Sequence, residues 1–298
     1  MIRYDRASVE RGGQLVVEAV SLHVRAGEAW AVIGRGGAGK SMLLAAAATA
    51  EPLHSGDIRV AGRSVRQDAE GVRRVAGYVP ERLPDWPGLR AGELLELFAV
   101  AAGLRGGELA RAVEQGLSLA GLPGRGAATL ESLDACRAKR LLLARGLAHD
   151  PSVLLLDDPL SGLDPEGRQE LERIVIDAQL MGRSVLAAID DARVPGCFTH
   201  VAVLVEGRLV AEGRNDPASF AAGRRWTFAL RCPARAEQAA SVLKRLVATA
   251  AVHDPDTVLL GFDPALRSAD ELVAAVVRAG IPLESAGFDP PWQAQLLE

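Results

Sequence analysis

Between Gly34 and Ser41 the chain reads Gly-Arg-Gly-Gly-Ala-Gly-Lys-Ser, and this run constrains the fold more than any other feature of the sequence. It matches G-x-x-x-x-G-K-[ST] and lies after the apolar run Ala29–Ile33 and before an Ala/Leu-rich stretch, so it reads as a strand, a glycine-rich loop and a helix start. Glycines let backbone N–H groups wrap closely around phosphate oxygens. The helix beginning near Lys40 adds the positive end of its dipole. Lys40 is placed to neutralise the outer phosphates, and the Ser41 hydroxyl to ligate Mg²⁺. Gly34, Arg35, Gly36, Gly37, Ala38, Gly39, Lys40, Ser41 and Met42 are therefore the candidate nucleotide-binding stretch. A glycine-rich turn that merely precedes a helix is the alternative, and the presence of all four required residues in the right context argues against it.

Such a loop needs an acid at the end of another buried strand to hold the metal. Val153-Leu154-Leu155-Leu156-Asp157 supplies one, so Asp157 joins Ser41 as a candidate metal residue. Further strands are expected around Val16–Val24, Asp57–Val60, Val75–Val79, Ser184–Ile189 and Val201–Val205, the last turning at Glu206-Gly207 into Arg208–Glu212 as a hairpin. Helical patterns cover Ala91–Gly103, Gly107–Ala120, Leu133–His149 and Pro165–Gln179. Short apolar strands alternating with helices predict an α/β domain with a largely parallel sheet buried on both faces. Asp216-Pro217 and Gly223 mark a boundary, giving a first domain over 1–222 and a second over 223–298. In the second, Trp226–Cys232, Thr257–Phe262 and Pro282–Ala286 read as strands, and Ala234–Ala250 and Ser268–Gly280 as helices, a small α+β domain.

At 298 residues the chain is long enough for one large domain and one small one. No apolar run approaches the roughly 18–20 residues of a membrane-spanning helix, and Met-Ile-Arg-Tyr-Asp lacks the apolar core of a secretion signal. A net charge of −4 gives no electrostatic reason to expect nucleic acid. Cys136, Cys197 and Cys232 show neither metal nor disulfide spacing, which suits a reducing cytoplasm. Of 34 basic residues only Lys40, Lys139 and Lys244 are lysine, so each lysine is a less casual choice than usual.

With these residues in place the sequence resembles ABC transporter ATPases. Asp157-Asp158-Pro159-Leu160 followed by Ser161-Gly162-Leu163-Asp164 is similar to the family's second acidic motif and D-loop. Arg140 to Pro151 resembles the helix after its signature motif, Tyr78-Val79-Pro80-Glu81 its Q-loop segment, and Val201–Gly213 its closing strands. The resemblance covers residues 1 to about 222 and implies a P-loop NTPase fold of ABC type: a mixed sheet core with a helical subdomain over about 82–148. The second domain is similar, in pattern only, to the C-terminal extension of ABC-2-type exporter ATPases. The resemblance further implies ATP and Mg²⁺ as cofactors, a homo- or heterodimer with another ABC ATPase domain, and a transmembrane permease subunit that would hold the chain, cytoplasmic itself, at the inner face of the membrane. Trp86, between Pro84 and Pro87, is the preferred anchor for that partner, although packing beneath a loop is an equal alternative.

Five places depart from the family pattern. The signature L-S-G-G-Q corresponds to Leu133-Asp134-Ala135-Cys136-Arg137. The resemblance makes Asp158, Glu81 and Asp190 the catalytic positions, where the family has glutamate, glutamine and histidine, and it adds Glu81 as a metal-facing group. Arg11 stands where an aromatic residue usually stacks on adenine, and could do so by a cation–π contact; an exposed surface arginine is the competing reading. Glu81, Asp190 and, across a dimer, Asp134 add carboxylates near the most negative end of ATP, and two unit charges about 5 Å apart at an effective dielectric of about 20 repel by roughly 3 kcal/mol, an upper figure. Slow or absent hydrolysis is therefore expected. The sequence leaves open a motor subunit of an exporter or a hydrolysis-deficient nucleotide sensor paired with an active ATPase, and a soluble phosphotransferase lacks an identifiable substrate lid.

Overall fold

The computed structural model describes residues 1–190, 194–215, 226–246, 249–262 and 269–287. The chain divides into two compact units, Met1–Glu212 and Gly213–Glu298. The expected boundary at 222/223 lies ten residues later, within a stretch outside the described residues.

The first unit contains two sheets rather than one. Ile2–Arg11 (β1) and Gln14–Val24 (β2) pair as antiparallel neighbours. With Ser55–Val60 (β4) and Arg63–Ser64 (β5) they form a four-stranded sheet of order β2-β1-β4-β5. Neither β1 nor this sheet was expected. Its strands mix apolar and charged residues, with Ile2, Tyr4, Ala7 and Val9 buried while Arg3, Asp5 and Glu10 stay outside. A surface sheet with one wet face breaks the continuous apolar run that identifies a central strand.

The six-stranded sheet does follow those runs. Its order is β10-β9-β3-β8-β7-β6, from Ala29–Ile33 (β3), Ala76–Val79 (β6), Val153–Asp157 (β7), Ser184–Ile189 (β8), His200–Val205 (β9) and Arg208–Arg214 (β10). Every residue of β3, β7 and β8 is buried. The β6–β7, β7–β8, β8–β3 and β3–β9 pairs are all parallel. The register sets Ile33 beside Ile189, Asp157 beside Ala188 and Val79 beside Leu156. Whatever follows β3, β6, β7 and β8 therefore emerges at one edge, the crevice at the carboxyl ends of parallel strands where ligands sit in such sheets.

Helices Lys40–Ala47 (α1), Ala69–Val75 (α2) and Pro165–Leu180 (α6) belong to this core. Ala91–Ala101 (α3), Gly106–Leu119 (α4) and Ala135–Leu147 (α5) share a separate apolar cluster that includes Leu94, Leu95, Leu122, Leu130, Leu141 and Ala144. The join between α5 and the sheet is tight at Gly77 of β6, where a Cβ would lie 2.0 Å from the Gly146 carbonyl oxygen and 2.8 Å from Pro151 Cγ. Both neighbours are stiff, so Gly77→Ala is expected to cost about 1–3 kcal/mol of stability, read as a lower urea midpoint at unchanged slope.

The second unit forms an antiparallel sheet of order β12-β13-β11-β14 from Trp226–Arg231 (β11), Thr249–Asp254 (β12), Thr257–Phe262 (β13) and Ser285–Gly287 (β14). Ala236–Leu243 (α7) and Ala269–Arg278 (α8) accompany it, with Leu230, Leu243, Val258, Leu272 and Val276 in its core. The expected helix Ala234–Ala250 is corrected here: α7 ends at Leu243, and Thr249 onward is strand. Thr249–Asp254 runs into a Pro255-Asp256 turn and pairs back on β13 as a hairpin, so pairing overrides the alanines that suggested helix. Among the described residues no helix is long and apolar enough to cross a membrane.

Candidate functional site

The Gly34–Ser41 loop leaves β3 at the crowded edge of the six-stranded sheet. Gly39 caps α1 at φ 99°, and a Cβ there would stand 2.5 Å from the Val16 carbonyl oxygen, so only glycine fits. The β9–β10 turn braces the loop from outside, Gly207 N donating to Ala38 O at 3.0 Å while Glu18 N donates to Gly207 O at 2.8 Å. Arg11, at the end of β1, reaches the same helix start: its Nη1 lies 3.9 Å from Met42 Sδ. That places an exposed guanidinium beside Met42 of the candidate nucleotide stretch.

Lys40 is buried, and its ammonium is fully engaged. Nζ donates to Gly34 O at 2.6 Å and Arg35 O at 3.0 Å, and pairs with Asp190 Oδ1 at 2.9 Å. Three acceptors use all three protons. Asp190 follows β8 directly and is the exposed member of the set, at 64% side-chain exposure.

Ser41 Oγ donates to Asp157 Oδ1 at 2.9 Å, bringing the hydroxyl of the loop and the strand-end acid into contact. Burial pushes the Asp157 carboxyl above its ordinary range, the Ser41 bond counters this, and Glu81 adds to the rise. The pair fits Mg²⁺: two hard oxygen donors side by side, one of them a buried acid that a divalent cation would stabilise. Among the described residues no group of three or more His, Cys, Asp or Glu side chains could hold a metal alone. Mg²⁺ takes one or two protein oxygens and completes its shell with water and substrate phosphates.

Asp158 turns sharply after β7, in left-handed backbone at φ 42°, a conformation that costs a non-glycine residue of order 1–3 kcal/mol. Its N–H donates to Ala188 O at 3.0 Å, and its carbonyl accepts from Lys139 Nζ at 2.8 Å. Burial raises its carboxyl, Lys139 opposes that rise, and Asp190 and Glu81 reinforce it. Of the expected catalytic and metal-facing groups, Glu81 fits least directly. Its carboxylate is half exposed and pairs with Arg82 at 3.0 Å, while its main-chain oxygen accepts from Lys139 at 2.7 Å.

At the signature position Asp134 caps α5, accepting from Arg137 N at 2.8 Å. Its other oxygen pairs with Arg137 Nη1 at 2.7 Å. The carboxylate expected to confront phosphate is thus held beside a cation of its own turn, and the repulsion argued from sequence is smaller here than a bare charge would give. The D-loop residue Gly162 packs on Ala135, and Arg140 Nη2 reaches Asp164 Oδ1 at 3.3 Å.

Two features went unassigned at the sequence level. One is Lys139; the scarcity of lysine was its only signal. The other is a column in which Trp86 stacks on Phe98 at 6.5 Å and the Arg145 guanidinium lies 4.1 Å from the Phe98 centroid. Arg145 Nη2 also donates to Tyr78 O at 2.7 Å, and burial pulls its guanidinium down to about 10. Nothing in the spacing of residues 78, 86, 98 and 145 announces this contact.

Comparison with known proteins agrees with this geometry. The ABC transporter family matches residues 17–161. The chain is 32% identical over 213 residues to the Nod factor export ATP-binding protein I of Burkholderia thailandensis, covering 71% of this chain and 70% of that protein. It is 26% identical over 214 residues to a linearmycin resistance ATP-binding protein of Bacillus subtilis, covering 72% and 69%. Among solved structures, an ATP-binding subunit of an ABC transporter superposes with a TM-score of 0.65 at 25% identity, over 72% of this chain and 90% of that one. A dimeric ATP-binding cassette in a post-hydrolysis state with ADP and Pi gives a TM-score of 0.66 at 22% identity, over 72% and 99%, which speaks to the fold. The phosphate loop, the strand-end acid that meets it and these likenesses together place the chain in the ABC transporter family, as an ATP-binding subunit.

Proposed function

We propose that this subunit powers an ABC-2-type exporter, closing on ATP and Mg²⁺ against a second ATPase domain and moving a membrane permease, with slow hydrolysis. The Ser41–Asp157 bond at 2.9 Å, beside the buried Lys40, is the observation that carries it. These two oxygens would hold Mg²⁺ on the outer phosphates, where the ion neutralises negative charge. Relatives named for export and for resistance support the outward direction. Trp86, at 44% exposure, and Leu97, at 50%, offer apolar surface for the permease on the segment between β6 and α4. Through its partner the chain would sit at the inner face of the cell membrane, and residues 223–298 would serve as its C-terminal extension.

Slow hydrolysis follows from Asp158, Asp190 and the start of α5. Asp158 is one methylene shorter than a glutamate, and a misplacement of about 1 Å costs on the order of 100-fold in rate. Asp190 occupies Lys40, and Ala135 and Cys136 put side chains where the resemblance implies glycine backbone. The test is phosphate release by the purified chain, alone and with its co-purified permease. Asp158→Glu is expected to raise the rate by less than about threefold, because Asp190 and the α5 start remain altered. Recovery to the rate of an ordinary ABC ATPase, or that rate in the unaltered chain, would overturn the proposal of slow hydrolysis.

A further inference from the structure

Two of the three lysines in the chain are buried, Lys40 at 4% and Lys139 at 5% exposure, and both serve one edge of the six-stranded sheet. Lys40 belongs to the phosphate loop. Lys139 comes from the second turn of α5 and has no part in the function argued so far. Its ammonium donates to Glu81 O at 2.7 Å and to Asp158 O at 2.8 Å, tying the segment after β6 to the turn after β7. The second bond holds the carbonyl of the residue in left-handed backbone, so Lys139 supports a strained turn as well as closing it.

Burying an ammonium is costly unless charge nearby compensates. Burial pulls the Lys139 ammonium down, and Asp158, Glu81 and Asp157 each pull it back. Conversely, Lys139 opposes the rise that burial imposes on Asp157 and Asp158. These are the carboxylates beside the proposed phosphate and metal site. Two hydrogen bonds alone would need only a neutral donor such as glutamine; three surrounding acids give a reason for a charge.

We propose that Lys139 is a built-in countercharge of the nucleotide site, a positioning residue that closes the Glu81 and Asp158 turns and offsets their acids, so that ATP polyphosphate binds without a divalent ion supplying all the positive charge. This rests on the Mg²⁺-assisted ATP site proposed above. Its signature is the balance between metal-free and metal-assisted binding, which a merely structural lysine would not shift.

The experiment measures ATP affinity in EDTA and in excess Mg²⁺ with a fluorescent ATP analogue, for the unaltered chain, Lys139→Gln and Lys139→Arg, with thermal midpoints as the folding control. Glutamine offers two N–H donors on a side chain one methylene shorter and loses the charge, so the ratio of the two affinities, read beside the thermal midpoint, carries the result. Lys139→Gln is expected to weaken metal-free binding by about fivefold and Mg²⁺-assisted binding by less than about twofold, so the gain from Mg²⁺ grows. Lys139→Arg keeps the charge while changing the fit, so the ratio of metal-free to Mg²⁺-assisted affinity should stay close to that of the unaltered chain. For Lys139→Gln, equal losses with and without Mg²⁺, or no loss at all, overturn the proposal. If Lys139→Gln does not fold, the contrast is read in Asp158→Asn, where removing one acid should strengthen metal-free binding and shrink the gain from Mg²⁺; no change there also overturns it. An unaltered chain that binds ATP but gains nothing from Mg²⁺ would instead sink the metal-assisted reading.

Discussion

Lys40→Ala is expected to weaken ATP binding by about 100-fold or more, since hydrogen bonds to charged groups contribute about 1.5–3 kcal/mol each and a phosphate tail takes at least two from this ammonium. The structure also says why the other buried lysine does not take its place. Lys40 is buried with its ammonium at the mouth of the loop, whereas Lys139 is committed to two carbonyls across the site. The fold should survive at a cost of about 1–3 kcal/mol: the Arg35 carbonyl lies in the exposed part of the loop, while the buried Gly34 carbonyl loses its partner. Lys40→Arg should lose most of the affinity too: a planar guanidinium does not fit a position where three acceptors stand 2.6–3.0 Å from one nitrogen. Equilibrium titration with a fluorescent ATP analogue checks both variants, with circular dichroism as control. Binding by Lys40→Ala within tenfold of the unaltered chain would remove the phosphate loop from the nucleotide site.

The contrast between Lys40 and Lys139 shows what could be read from sequence. Lys40, Ser41 and Asp157 were legible because each lies in a continuous stretch whose local pattern is also its chemistry: an apolar strand, then glycines or an acid. The parallel sheet followed from the same runs, since β3, β7 and β8 are buried on both faces and show it. The antiparallel sheet was not legible, because β1 alternates buried and charged residues along a wet face. Lys139 and the Trp86–Phe98–Arg145 column were hidden for another reason. Their meaning lies in partners 58 and 47 positions away, from Lys139 to Glu81 and from Arg145 to Phe98, and no local period encodes that. The three carboxylates read as unpaired repulsion each acquire a cation in the fold: Glu81 has Arg82, Asp134 has Arg137 and Asp190 has Lys40.

That last pair changes the form of the electrostatic argument. Asp190 does not simply repel phosphate; it occupies the ammonium that phosphate needs. ATP must replace a carboxylate oxygen 2.9 Å from Lys40 Nζ before its outer phosphates engage. Two unit charges at about 4 Å and an effective dielectric of about 20 attract by about 4 kcal/mol, but Asp190 is mostly exposed and solvent screening reduces this toward 1 kcal/mol. Added to relief of repulsion on the γ-phosphate, Asp190→Asn is expected to tighten ATP binding by about tenfold, at 1.4 kcal/mol per decade. ADP should gain less, about two- to threefold, because it lacks the phosphate that carries the extra charge. Asparagine keeps the shape of aspartate, so packing cannot account for a difference between the two nucleotides. Asp190→His, which restores the residue the family resemblance implies, should match the gain for ATP. The measurement is the ratio of ADP to ATP dissociation constants in each variant. Equal gains for both nucleotides would mean that Asp190 only blocks Lys40, and no gain for either would mean that the side chain swings away at negligible cost, leaving Asp158 and the start of α5 as the sources of slow hydrolysis.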